Sequence, residues 1–220
     1  MKILCIDTSS KLCSVAILED TQLIDKLELN NGLTHSETLM PLVKEILEKN
    51  SLVLKDINLL VSDIGPGSFT GIRICVATVK AFSDSLSIPS VGISSLEILA
   101  YNIKNDGIIC SAIDCKNDNC YFALYELKEG NYSVLEEPSA LSKEEVMALL
   151  NTKYNDKKIN FVGDAFEAEP EMSYLNVENL GIAGYKKFIS NTQKGEEVLP
   201  LYLKKPQAQR QLEEKQKNSL

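Results

Sequence analysis

A chain of 220 residues, 44% apolar and 25% charged, has the make-up of a soluble globular protein with one large or two small domains. Its net charge of −8, with basic residues scattered apart from Lys204, Lys205 and Arg210, disfavours an independent grip on nucleic acid, which needs a basic face. No apolar run reaches the length of a membrane span, and Met1–Asp7 is too short and too soon charged for a secretory signal, so the expected location is the cytoplasm.

In chain order, Ile3–Ile6, Ser14–Leu18 and Leu23–Leu29 read as three short strands separated by polar turns, as in a meander of hairpins. A helix follows from His35 to Lys49. Thr34 is its N-cap, Glu37 stands at the capping-box position, and Leu39, Leu42, Val43, Ile46 and Leu47 recur at helical spacing. An apolar strand from Ile57 to Ile64 then enters the glycine-rich run Asp63-Ile64-Gly65-Pro66-Gly67-Ser68-Phe69-Thr70-Gly71-Ile72-Arg73. Gly65, Gly67 and Gly71 allow backbone angles and close approaches that a Cβ would block. The loop opens a helix that runs to about Leu86. A helix N-terminus can receive an anion, but neither GxGxxG nor GxxxxGK[ST] is present, so loop chemistry alone favours a tight packing turn. A short strand at Ser90–Ile93 and a helix from Ser94 to about Ile103 complete the order βββαβαβα.

The second half repeats the opening of that order. Ile108–Asp114, Cys120–Leu127 and Tyr132–Leu135 read as strands, Ser142–Leu150 as a helix, Ile159–Gly163 as a strand and Ile182–Ile189 as a weaker helix. Each half ends its first strand with an aspartate, Asp7 and Asp114. The polar junction near Asn102–Gly107 divides the chain into residues 1–103 and 104–220, the second unit closing in a polar tail from Pro206 to Leu220. The six cysteines form no CxxC pair and have no histidine beside them, so zinc is not expected and reduced thiols are.

Two βββαβ units with an aspartate at the end of each first strand resemble the actin-like ATPase (ribonuclease H-like) architecture, an α/β fold of two similar lobes with a cleft between them. Within it, Ile6-Asp7-Thr8-Ser9, His35-Ser36-Glu37, Gly65–Arg73 and the late Leu199-Pro200-Leu201-Tyr202-Leu203-Lys204 resemble the TsaB (YeaZ) family. The likeness is specific over about residues 1–100 and looser beyond. Where relatives usually show Asp-Ala-Arg and Gly-Asp-Gly, this chain has Asp114-Cys115-Lys116 and Gly163-Asp164-Ala165. The resemblance implies a non-catalytic scaffold in tRNA threonylcarbamoyladenosine biosynthesis. Such a subunit pairs with its catalytic paralogue TsaD, meets TsaE through that pair, forms a homodimer when alone, touches tRNA only indirectly and needs no cofactor of its own.

His35 is the only histidine. The resemblance implies that the catalytic paralogue uses two histidines at i and i+4 of the matching helix; here the second position is Leu39, so a structural role is expected for His35 and no metal site. Asp7, Thr8, Ser9 and Asp114 stand where a kinase of this fold would hold phosphate or magnesium. A small-molecule kinase or ATPase is therefore the rival reading; vestigial phosphate loops are the expectation. The helix after Gly71 is apolar almost all round, which calls for burial on more than one side. The resemblance places the partner interface on this helix and the previous one, at His35, Leu39, Leu42, Val43, Ile46, Gly71, Arg73, Ile74, Cys75, Thr78 and Ala81.

Overall fold

A computed structural model describes residues 1–190 and 197–204. The chain is an α/β protein built on two sheets. The first holds β1 (Lys2–Asp7), β2 (Cys13–Glu19), β3 (Gln22–Leu29), β4 (Leu59–Asp63) and β5 (Ser90–Ile93), in the order β3-β2-β1-β4-β5. The second holds β6 (Gly107–Asp114), β7 (Asn119–Lys128), β8 (Asn131–Ser142) and β9 (Ile159–Val162), in the order β8-β7-β6-β9. In each sheet the first three strands form an antiparallel meander and the next pairs parallel to the first. The helices are α1 (His35–Lys49), α2 (Phe69–Leu86), α3 (Ser95–Ala100), α4 (Lys143–Lys153) and α5 (Val177–Ser190). This is the actin-like, ribonuclease H-like fold expected from the sequence.

Period-2 alternation assigns each sheet its two faces. From the first sheet, Leu4, Ile6, Val15, Ile17 and Leu60 pack on α1 and α2. Ile3, Cys5, Ala16, Leu18 and Val61, on the opposite face, pack on Leu180 and Ala183 of α5. In the second sheet Cys110, Ala112, Phe122 and Leu124 meet Val146 and Leu150 of α4, while Ile109, Ala123 and Tyr125 meet Leu96, Leu99 and Ala100 of α3. Helices are thus exchanged: α3, from the first half, covers the second sheet, and α5, from the second half, covers the first. The segment 197–204 also returns, with Val198 packed on Ile72 and Val76 and the Leu201 N–H bonded to the Ile64 carbonyl at 2.8 Å.

β8 and α5 are the elements that most exceed the length the sequence pattern indicates. β8 runs on through Pro138 to Ser142 because it is an edge strand, where a missing N–H costs no ladder bond. α5 begins at Val177 instead of Ile182; Gly181 and Gly184 depress its helix propensity but sit where the helix meets the sheet most closely. α3 is shorter than expected, ending at Ala100 with Tyr101 as its C-cap. The polar tail lies outside the described residues, as do Lys205 and Arg210. Among the described residues no helix is long and apolar enough to cross a membrane.

Candidate functional site

Adjacent parallel strands bring their C-terminal ends together. Ile6 pairs with Ser62, so the next residues, Asp7 and Asp63, converge. Both are buried, at 1% and 0% exposure. Asp7 Oδ1 accepts the Ser9 N–H at 2.7 Å, an Asx-type turn closing the β1 end. Asp63 accepts the Ser9 hydroxyl at 2.7 Å, the Ser95 hydroxyl at 2.8 and 2.9 Å, and the Gly65 N–H at 2.6 Å. Burial pushes the Asp7 carboxyl above the ordinary carboxylate range, against the hydrogen bonds from Ser9. It pushes Asp63 much further, aided by the charge of Asp7. Asp63 and Ser95 carry no motif that marks them as partners; the available signal was a second strand-end aspartate beside β1.

The glycine loop is fastened to the β1–β2 turn. Thr8 Oγ1 donates to the Gly71 carbonyl at 2.7 Å, and the Ser68 N–H donates to the Ser9 carbonyl at 2.7 Å. Ser68 also caps α2, its hydroxyl accepting the Gly71 N–H at 3.2 Å. A Cβ on Gly71 would overlap the Thr8 carbonyl oxygen, and one on Gly67 would stand 2.5 Å from that of Ser9. Gly65, at φ +95°, holds the left-handed bend. The glycines serve a close approach between turn and loop.

A cleft of about 400 Å³ opens between the two sheets, lined by Ser9–Leu12 and Gly67 on one side and by Gly163, Asp164 and Tyr174 on the other. Neither Asp7 nor Asp114 lines it. Asp114 pairs with Lys143 at 2.9 Å, and the hydrogen bond from that ammonium holds its carboxyl below the usual range. Asp164 bonds the Asp114 N–H at 2.7 Å, and Lys204 reaches the Cys115 sulfur at 2.8 Å. His35 Nε2 lies 2.9 Å from the Ser10 carbonyl, tying the first turn of α1 to the β1–β2 turn. Among the described residues no group of three or more His, Cys, Asp and Glu side chains is placed to hold a metal ion.

The residues expected at a partner interface divide by face. Leu39, Leu42, Val43, Ile46 and Cys75 point into the first unit's own core, with Cys75 donating to the Ile6 carbonyl at 2.9 Å, and Gly71 is buried under Thr8. Arg73 and Ala81 are exposed, and Ile74 and Thr78 are half-buried. Arg73 stacks on the Phe69 ring at 3.8 Å and donates through Nε to the Tyr202 hydroxyl at 2.7 Å, so the late segment joins the α2 surface.

Residues 32–212 match the family model described as TsaD, tRNA N6-adenosine threonylcarbamoyltransferase. The tRNA threonylcarbamoyladenosine biosynthesis protein TsaB of Escherichia coli is 31% identical over 78% of this chain and 75% of that protein. The chain belongs to the TsaB family, within the wider family that the model describes. The Bacillus subtilis TsaB is 37% identical over 59% of this chain and 57% of its own length. YeaZ from Pseudomonas aeruginosa superposes with a TM-score of 0.75 at 26% identity, over 92% of this chain and 99% of that one. Asp114-Cys115-Lys116 and Gly163-Asp164-Ala165 lie together at the second sheet. Ala165 is buried, its N–H on the Ala112 carbonyl at 3.3 Å, while Asp114 and Cys115 face Lys143 and Lys204.

Proposed function

We propose that this chain takes part in tRNA threonylcarbamoyladenosine biosynthesis as a non-catalytic cytoplasmic subunit that binds and supports TsaD, meets TsaE through that pair, and dimerises when alone. Its membership of the TsaB family supports the pathway. The observation that carries the non-catalytic reading is the state of the two carboxylates a kinase of this fold would need. Asp7 is buried and turned onto the Ser9 backbone, Asp114 is paired with Lys143, and neither lines the cleft. Magnesium bound with a nucleotide needs a carboxylate open to it. The docking surface in this reading is the outward face of α2, at Arg73, Ile74, Thr78 and Ala81, beside exposed Phe69. The apolar residues of α1 support that surface from beneath. Contact with tRNA is indirect, in keeping with the acidic charge.

The test is threonylcarbamoyl transfer to tRNA by TsaD and TsaE, with and without this chain, beside an ATPase assay of this chain alone. Transfer that requires the chain, with no turnover by the chain itself, is the expected result. Arg73→Ala is expected to weaken pairing with TsaD at least several-fold while changing the melting temperature little, since its contacts within the chain are exposed. Turnover by the chain alone, with no effect on TsaD, would overturn the proposal in favour of a small-molecule kinase or ATPase.

A further inference from the structure

Two Asx–Gly dipeptides occur in the chain, Asn31-Gly32 and Asp106-Gly107. Such a pair can react with itself. The backbone nitrogen of the glycine closes a five-membered ring on the side-chain carbonyl carbon, and no Cβ crowds its approach. The fold treats the two pairs differently. Both oxygens of Asp106 accept the Glu129 N–H, at 3.1 and 3.2 Å, so this carboxyl is held across on the β7–β8 turn. Gly107 opens β6 and is paired there with Leu127.

Asn31-Gly32 has the opposite setting. It lies between β3 and α1, where residues 29–34 are all exposed. Asn31 Oδ1 accepts the Leu33 N–H at 3.1 Å, an Asx turn that folds the carboxamide back along its own main chain, the direction ring closure needs. That oxygen gains negative charge when Cγ is attacked, so the Leu33 N–H acts as an oxyanion donor already in place. Among the described residues no hydrogen bond engages the Gly32 N–H or the Asn31 side-chain nitrogen. Gly32, at φ +77°, has nothing within 4 Å of where a Cβ would stand, so its neighbours do not confine the main chain. Asn50, Asn102, Asn160 and Asn179 have their side-chain nitrogens bonded, and each precedes a residue with a Cβ.

We propose that Asn31 is a modification site that deamidates through a cyclic succinimide to aspartate and isoaspartate. The Gly32 nitrogen gives its proton to water or hydroxide and bonds to Asn31 Cγ. The Cγ–Nδ2 bond breaks, and the side-chain nitrogen leaves as ammonia. Water then opens the ring. Cleavage of the new Cγ–N bond gives aspartate; cleavage of the original peptide C–N bond gives isoaspartate, with the main chain running through Cβ and Cγ. Nothing is oxidised or reduced. Both products add a carboxylate to the approach to α1. Isoaspartate also lengthens the main chain by one carbon and loses the Asx turn just before the N-cap Thr34.

The test incubates the full chain at pH 8 and 37 °C and follows it by peptide mass mapping. Isoaspartate is counted by transfer of a labelled methyl group from an isoaspartyl methyltransferase. The expected result is a gain of one mass unit, with methyl acceptance, in the peptide that holds residue 31. Peptides holding the other described asparagines, and Asp106, should stay unchanged. Conversion should quicken as pH rises, since the attacking nitrogen must lose its proton. Gly32→Ala is expected to slow it about tenfold or more, and an unchanged circular dichroism spectrum shows that the variant folds. An intact Asn31 after two weeks, beside conversion of a free peptide of residues 27–37, would mean that the fold protects it and would overturn the proposal. So would equal conversion at the other asparagines, or a rate indifferent to Gly32→Ala.

Discussion

At the residue scale, the Asp7–Asp63 pair ties strand ends to loop. Each donor around Asp63 comes from a different segment: Ser9 from the β1–β2 turn, Gly65 from the glycine loop and Ser95 from α3. Burial and the neighbouring charge of Asp7 outweigh these donors, so folding raises the proton affinity of a group that is an ordinary carboxylate, near 4, in the unfolded chain. A group with its folded value raised stabilises the fold fully below the unfolded value and loses that contribution as pH climbs towards the folded value. Stability should thus fall from about pH 4 upwards, by at most about 1.4 kcal/mol per pH unit for one proton. Asp63→Asn removes the titration, so the difference between variant and wild type should shift in the variant's favour as pH rises from 4 to 7. Urea midpoints across that range test it; a constant difference would show that Asp63 does not take up the proton.

At the element scale, α5 shows local propensity yielding to packing. Glycine costs a helix about 1 kcal/mol relative to alanine, yet α5 has two, at Gly181 and Gly184. A Cβ on Gly181 would lie 2.6 Å from both Leu18 methyls and 2.8 Å from the Cys5 sulfur, in the middle of the first sheet. Those neighbours are fully buried. Overpacking of this kind costs about 1–3 kcal/mol, which exceeds the propensity gain. Gly181→Ala should therefore lower stability by about 1–2 kcal/mol, and the loss should shrink in the Leu18→Ala background, where room is made. Denaturant unfolding of the single and double variants checks both the sign and the coupling.

At the scale of the molecule, exchange of α3 and α5 makes each half depend on the other. A fragment of residues 1–103 would leave Ile3, Cys5, Ala16, Leu18 and Val61 without α5 and would expose Leu96 and Leu99 of α3. Burying five such side chains is worth roughly 1.5–3 kcal/mol for each of the larger ones, comparable with the whole stability of a small domain. The full chain should melt in one transition by far- and near-ultraviolet circular dichroism, and the fragment should show no cooperative melt. Two separate transitions in the full chain would show that the halves are autonomous.

The sequence by itself determined the elements whose signals are local. The capping box Thr34/Glu37 and the apolar spacing of Leu39 to Leu47 set α1, alternation and turns set the two meanders, and the glycine loop marked the strand-to-helix turn at Gly65–Gly71. Those same patterns supported the fold class and the family. What lay beyond them depended on chain segments far apart in sequence. That Asp63 would meet Asp7, that Leu39 and Ile46 would face inwards while Arg73 joined Tyr202, and that Asp106 would be held on the β7–β8 turn while Asn31 stayed exposed were decided by the tertiary structure alone. Periodicity states that a side chain lies on the apolar face of its element, but not what covers that face. That is settled only when the sheets, the exchanged helices and the returning segment compete for the same buried surface.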